Sequence, residues 1–492
     1  MSDTKKKATV SRSRRNFLKA VAGGAALATV SMGASLEAFA AAHEKVDAER
    51  LKLGRQLDSD PFQIRESYQR YNSMDYAFNT VGRETGLPWF VAANRAAAEH
   101  VTSGMMSKGI RAPNVGMARV YAGVGAALWS PCIFLGRTGQ GTENMGAQSW
   151  SDVGTIAGLR RQNRAPDITD PSPLTRYTKT VARLSGADLV GVAPFDIRWI
   201  YTHTQRNQYM PGDPELKEIR VEDAPAPHET DKALIIPADV QSVVTMVFSM
   251  NQVMLRTSPT PVAHAMAGMG YLRMAISAVA VAEFIRSQGY WAIPSTNCVG
   301  INVPIAIQAG LGEDGRHGML VTPEFGSNVR TAKVFTNMPM IKDKPMSFGL
   351  KEFCNSCAKC ANICPAQSLT FSSRRWDAVD ESNNPGVFKF YHPYKKCLYF
   401  WMENGFTCGN CMAMCEGDVW VYSDRARDPQ WLAANRPALD RYWNARAAAF
   451  GHGLMVNPNM LWDMPLEPYG LEQHSELTRY REEFKNRLRR HP

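Results

Sequence analysis

The sequence predicts a mixed α/β core followed by a compact cysteine-rich module. Three observations carry that expectation. Strand-like and helix-like runs alternate between residues 174 and 337, eight of the ten cysteines fall between Cys354 and Cys415, and the apolar (45%) and charged (21%) fractions are those of a globular chain. At roughly 100–200 residues per domain, the 492 residues imply two to four domains. The formal charge of +10 raises the question of a nucleic-acid partner, so where that charge sits matters.

Residues 1–40 read as an export signal. Lys5, Lys6, Lys7 and Arg12 precede Ser13-Arg14-Arg15-Asn16-Phe17-Leu18-Lys19, a twin-arginine sequence. A mild Ala/Gly/Val stretch follows, then Ala38-Phe39-Ala40, an A-x-A cleavage site. A basic tail before a short helix is the plainer alternative, but all three parts occur in order. The twin-arginine route carries folded proteins, which suits a cofactor inserted before export. Seven Lys/Arg against Asp3 and Glu37 put half of the net charge in this segment. The remainder is modest for a nucleic-acid binder. No later apolar run of about 18 residues is read, so no membrane span is expected.

From 43 to 165 the sequence is mixed, with a helical patch over Trp89–Met106 and a Gly-rich stretch around Val115–Gly141. Arg160–Pro173 is a polar linker with Asp-Pro and Ser-Pro turns. Leu174–Leu184 has amphipathic helical spacing and leads through Gly186 into Asp188–Pro194, a short buried strand. Residues 196–235 are rich in Pro and charge and read as an irregular surface insertion. Ser242–Asn251 is strand-like, and Thr260–Gln288 carries small and apolar residues at helical spacing, stopping at Gly289. Tyr290–Pro294, Met319–Thr322 and Val334–Asn337 read as further strands.

The cysteine module is the most specific feature. Cys354-x2-Cys357-x2-Cys360-x3-Cys364-Pro365 has the spacing of the bacterial ferredoxin run, and Cys408-x2-Cys411-x3-Cys415 repeats its last three positions. Cys397, on an upstream loop, supplies the missing eighth thiolate. Two [4Fe–4S] clusters need eight, and in this run the fourth cysteine ligates the other cluster. Cluster one is therefore assigned Cys354, Cys357, Cys360 and Cys415, and cluster two Cys364, Cys397, Cys408 and Cys411. Zinc also uses Cys-x2-Cys pairs, though not a triple run followed by proline. Cys132 and Cys298 stand alone and read as buried thiols. No G-x-G-x-x-G after a strand, Walker loop, H-E-x-x-H or Asp-x-His-x-x-Gly accompanies the module. Composition and spacing alone end at an exported two-cluster iron–sulfur protein with a large α/β domain.

The residues resemble the corrinoid-dependent reductive dehalogenases of organohalide respiration, and most closely the tetrachloroethene reductive dehalogenases. Besides the signal and the cysteines, the resemblance is carried by Gly186–Ala193, Ala292–Ser295, Gln308–Gly312, Thr322–Gly326 and Lys333–Pro339. It implies a nitroreductase-like core holding a base-off corrinoid, with a ferredoxin-like 2x[4Fe–4S] domain. The implied divisions are a signal (1–40), an N-terminal region covering cofactor and substrate pocket (41–165), a corrinoid-binding domain (166–348, with the insertion at 196–235), the ferredoxin-like domain (349–420) and a helical region (421–492). The implied reaction is R–Cl + 2e⁻ + H⁺ → R–H + Cl⁻.

By the same resemblance Tyr271, near the start of a helix with Met274, Ala278, Val281 and Ile285 on its apolar face, is the proton donor. A phenol, with a reference pKa of about 10, is protonated at neutral pH. Arg330 matches the cation that would stabilise the phenolate, and Asn297 a polar group beside both; Tyr271 and Asn297 also contact the cofactor. Phe78, Trp89, Trp129 and Trp401 match aromatic walls of the substrate pocket, a surface suited to a chlorinated alkene. Ala267 departs from the pattern, because the tetrachloroethene enzymes place a threonine four residues before the tyrosine. The family implies a peripheral enzyme on the outer, periplasmic face of the cytoplasmic membrane. Its partners would be a small integral-membrane anchor, a quinol-linked electron donor and no nucleic acid, and the charged tail could serve a homodimer, an anchor or neither. The rival readings are an epoxyqueuosine-reductase-like enzyme and an exported iron–sulfur electron-carrier subunit.

Overall fold

The computed structural model describes residues 53–137, 149–150, 169–205, 216–415 and 457–458, with scattered residues over 41–51; side chains at 130–137 and 205 fall outside that description. The export segment, most of the 160–173 linker, the Cys132 side chain and nearly all of the 421–492 tail therefore lie outside that description.

A four-stranded antiparallel sheet forms the centre. It is built from β1 (Leu189–Pro194), β6 (Ser242–Ser249), β7 (Ala292–Ser295) and β8 (Val329–Thr336), in the spatial order β7-β8-β6-β1. Both faces are covered, which is why β1 and β6 read as continuous apolar runs. One face presents Val190, Val192, Val244, Met246, Phe248, Ala332 and Val334 to Met274, Ala278, Val281 and Ile285 of α6 (Pro261–Ser287). Alternate residues of the same strands, Leu189, Ala193, Val243, Val247 and Phe335, face Ile305, Ala306 and Ile307 of α7 (Asn302–Gln308).

Helix α6 spans 27 residues and by length and composition alone could cross a membrane. The sequence reading missed that run, but 72% of the relevant window is buried within the protein. Its helical start at Pro261 also sets Tyr271 well inside the helix, and not near its start.

The 196–235 stretch differs from the irregular insertion expected. Its described part contains β2 (His203–Gln205), β3 (Leu216–Glu222), β4 (His228–Glu229) and β5 (Ala233–Pro237), in a second sheet of order β2-β3-β5-β4. Ile219, Leu234 and Ile236 pack into the core shared with β1 and α7, so much of the segment is interior. The Gly-rich stretch after residue 115 is likewise a helix, α3 (Val115–Arg137). Its neighbours in the N-terminal region are α1 (Ala77–Thr85) and α2 (Trp89–Thr102). Strand β8 begins at Val329, five residues before the expected start, and so includes Arg330.

The described fold is mixed α/β. In its cysteine-rich part, Cys354 lies on α8 (Leu350–Ser356), Cys360 on α9 (Lys359–Asn362), Cys397 on α10 (Tyr394–Asn404) and Cys411 on α11 (Asn410–Ala413). Cys397 is thus helical, where the sequence reading put a loop.

Candidate active site

Three elements bring Tyr271, Asn297 and Arg330 together. Tyr271 projects from α6, Arg330 from the first turn of pairing in β8, opposite Phe248 of β6, and Asn297 from the loop leaving β7. Asn297 Nδ2 donates to the phenol oxygen at 2.9 Å and Arg330 Nη1 donates to it at 3.3 Å. The guanidinium also lies over the tyrosine ring, 4.7 Å from its centre. Both neighbours are donors, so neither takes the phenol's own proton. Both would hold the phenolate left after that proton has gone.

Close approach depends on glycine at two positions of α6. A Cβ on Gly270 would sit 2.9 Å from Arg330 Cγ. A Cβ on Gly268 would sit 2.5 Å from the Leu128 carbonyl oxygen and 2.9 Å from Trp129 Cα, so its absence lets α3 pack directly on α6.

Trp129 therefore meets Tyr271 edge-on, with ring centres 5.9 Å apart. Its other side stacks on His264 at 4.1 Å. His264 Nδ1 accepts from the Thr407 backbone N–H and lies 3.0 Å from Thr407 Oγ1. Burial drives the imidazole pKa down to about 3, so the stacked ring is neutral.

Phe78, Trp89 and Trp401 form a triangle with ring centres 5.7–5.8 Å apart, from α1, α2 and α10. Trp129 packs against this same cluster. A cavity of about 600 Å³ opens beside it, lined among others by Tyr76, Phe78, Ile301, Val303, Tyr394, Cys397 and Trp401. Of the expected pocket aromatics, Phe78 and Trp401 line this cavity; Trp89 and Trp129 do not, and neither do Tyr271, Asn297 and Arg330. Ile301 and Val303 carry its wall to either side of Asn302, which donates to Asn297. Cys397 and Trp401 are one helical turn apart on α10, so a cysteine and an aromatic face the same space.

The eight clustered cysteines form no disulfide. Their mutual electrostatic influence falls into two sets. Cys354 is affected by Cys415 and Cys357, and Cys360 by Cys415, Cys411, Cys354 and Cys357. Cys397 is affected by Cys408, Cys411 and Cys364. Cys411, affected by Cys408, Cys364 and Cys415, borders both sets. Burial pushes the thiols of Cys354, Cys360, Cys397, Cys408 and Cys411 up, Cys408 to about 11. A cation must be bound for such buried thiols to become ligating thiolates at neutral pH. Among the described residues, no three His, Cys, Asp or Glu side chains are grouped to hold a single metal ion. Arg316 is buried beside the first set. Its side chain donates to the carbonyls of Cys354 and Cys357, and its backbone N–H donates to Cys354 Sγ at 3.3 Å.

Sequence reasoning passed over His264, Asn302 and Lys333 as site residues. The usable signals were a histidine inside an apolar helix and a lysine inside an apolar strand.

Residues 188–340 match the family model described as reductive dehalogenase subunit. The chain is 36% identical over 486 residues to tetrachloroethene reductive dehalogenase of Sulfurospirillum multivorans, covering 94% of this chain and 95% of that protein. A tetrachloroethene reductive dehalogenase of Desulfitobacterium hafniense is 34% identical over 64% of this chain and 60% of its own length. Among solved structures, one titled as a reductive dehalogenase suggesting a mechanism for B12-dependent dehalogenation aligns with a TM-score of 0.52 at 21% identity, over 83% of this chain. The chain spans about half (51%) of that structure's length, and the likeness is one of fold. With the sequence identity spread over nearly its whole length, the chain belongs to the reductive dehalogenase family of oxidoreductases.

Proposed function

We propose that the protein is a respiratory reductive dehalogenase that removes chloride from a chlorinated ethene such as tetrachloroethene or trichloroethene, with Tyr271 as the proton donor. The observation that carries this reading is the phenol oxygen of Tyr271 receiving two N–H donors, from Asn297 and Arg330, beside a wall of aromatic rings. The substrate class follows the names of the related enzymes and the apolar character of that wall.

The residues fit the groups that the family implies. The cavity volume is within the range of cofactor pockets, about 300–1,000 Å³. On its wall the Trp401 Nε1 is buried with no hydrogen-bond partner, a donor open to a bound group. Lys351, Arg374 and Lys389 supply cations for an anionic arm such as a corrinoid's phosphate, and Arg374 Nε and Nη2 are buried without partners. Eight thiols in two sets of four suit two [4Fe–4S] clusters, with Cys354, Cys357, Cys360 and Cys415 on one and Cys364, Cys397, Cys408 and Cys411 on the other. A corrinoid, held in a nitroreductase-like core, would supply the electrons to the carbon–chlorine bond when bound, and two clusters would renew them.

The chain's own residues then do three things. The aromatic cluster of Phe78, Trp89, Trp129 and Trp401, of which Phe78 and Trp401 face the cavity, holds an apolar substrate and excludes water. Tyr271 gives up its phenolic proton as the carbon–hydrogen bond forms. Asn297 and Arg330 hold the resulting phenolate until it is reprotonated. Ala267, one turn before Tyr271 on α6, replaces a larger side chain and widens the space on that face. The twin-arginine segment supports export to the outer face of the cytoplasmic membrane, where a small integral-membrane partner links the enzyme to a quinol-fed donor.

The test is a chloride-release assay across chlorinated ethenes, ethanes and phenols with a reduced viologen donor, alongside metal analysis. We expect release from an ethene by protein that contains cobalt and about eight irons. Active protein with iron and no cobalt contradicts the reading.

A further inference from the structure

The polar chain at Tyr271 does not end with Asn297. Asn302, the first residue of α7, donates through Nδ2 to Asn297 Oδ1 at 3.0 Å and to the Thr331 carbonyl at 3.0 Å. Its Oδ1 accepts from Lys333 Nζ at 2.5 Å, and Lys333 also donates to the Thr296 carbonyl at 3.1 Å. Lys333 is fully buried on the α7 side of β8, opposite to the side that presents Arg330.

Every bond in this chain runs the same way: Lys333 to Asn302, Asn302 to Asn297, Asn297 to Tyr271. Direction matters because a side-chain amide accepts at one end and donates at the other, with little difference in shape. Burial pulls the Lys333 pKa down to about 7, but Nζ donates to the Thr296 carbonyl and to Asn302 Oδ1, and its charged form offers only donors, so Asn302 turns its oxygen toward Lys333. The Thr331 carbonyl only accepts, so it takes one hydrogen of the Asn302 amide. The second hydrogen then meets Asn297 Oδ1, which leaves Asn297 only its NH₂ to turn toward the phenol.

We propose that Lys333 and Asn302 are positioning residues that lock Asn297 with its donor on Tyr271 Oη. In the reversed orientation Asn297 Oδ1 accepts the phenol's own proton and holds it away from the substrate. The locked orientation leaves that proton to be given up. This inference rests on the reading of Tyr271 as proton donor.

Asn302→Asp tests it in the cofactor-loaded enzyme. Aspartate keeps, and strengthens, the contact with Lys333, but it cannot donate to Asn297 Oδ1. It also loses the donor to the Thr331 carbonyl, so thermal unfolding is followed alongside: a purely structural role for the pair predicts a lowered melting temperature with kcat per cofactor-loaded enzyme unchanged. We expect kcat for chloride release to fall about 100–1,000-fold, the scale of losing one oriented donor. KM should stay within about twofold, with cobalt and iron contents unchanged. Lys333→Met removes one of the two anchors on Asn302 and should lower kcat by about threefold or more at the same KM. It decides the question if Asn302→Asp fails to load cofactor. Parent-like kcat in the deciding variant, with Tyr271→Phe nearly inactive, overturns the orienting role alone. Parent-like kcat in Tyr271→Phe overturns the donor reading beneath it.

Discussion

Replacing Gly270 with alanine should strike the site without unfolding the protein. The added Cβ would lie 2.9 Å from Arg330 Cγ. Carbon atoms in contact prefer about 3.5–4.0 Å, so the arginine side chain has to retreat by about 0.6 Å or more. Its Nη1 is already 3.3 Å from the Tyr271 oxygen, at the long end of hydrogen bonding. A retreat of that size breaks the contact. A hydrogen bond to a charged group contributes about 1.5–3 kcal/mol, which in a barrier corresponds to about 10- to 150-fold in rate. The alanine also favours an interior helix position by about 1 kcal/mol, and Met250, the next neighbour, is at an ordinary 3.6 Å. The expected variant therefore melts at or near the parent temperature, keeps its cobalt and iron, and loses one to two orders of magnitude in kcat. The assay is chloride release at saturating substrate with a reduced viologen, together with thermal unfolding. A kcat within about twofold of the parent would refute the placement of Arg330 as the phenolate's cation.

Other consequences are as direct. Cys397→Ser should leave about four irons where the parent has about eight, because it removes one ligand from a single cluster; unchanged iron would move the eighth ligand elsewhere. Acid should weaken the native state through His264, whose folded pKa is about 3 against an ordinary 6.5. Above pH 6.5 neither folded nor unfolded chain is protonated there, and below it the unfolded chain gains the proton first. Stability is therefore lost as pH falls from 6.5 toward 3, by about 2 kcal/mol at pH 5. His264→Gln should flatten the fall in unfolding temperature between pH 7 and pH 5, and an identical fall in both proteins would contradict the assignment.

Much of this architecture could be read before any coordinates. The apolar run of β6 and the helical face of Met274, Ala278, Val281 and Ile285 are legible because burial on one or both faces dictates residue type directly. The cysteine spacing is legible because Cys354, Cys357 and Cys360 of one set, and Cys408 and Cys411 of the other, each lie on one short stretch of chain. Helix α3 was hidden by its glycines. A Cβ on Gly125 would meet Pro261 at 3.3 Å, so that glycine serves helix contact. The second sheet was hidden by the prolines and charges around Ile219 and Leu234, whose burial comes from distant β1 and α7. Tyr271, Asn297 and Arg330 are 26 and 59 residues from one another through the tyrosine, and no local pattern joins them. Only the family resemblance singled them out. Lys333 opens one of the segments that carry the resemblance, but neither it nor Asn302 was given a role by it, and both become visible as site residues when their hydrogen bonds are followed inward from β8.

The central claim is that Tyr271 gives the proton that replaces chloride. Its most direct test is chloride release by Tyr271→Phe enzyme that carries the parent's full complement of cobalt and iron. We expect release to fall by orders of magnitude while both metal contents hold. Parent-like release from that loaded variant would contradict the claim.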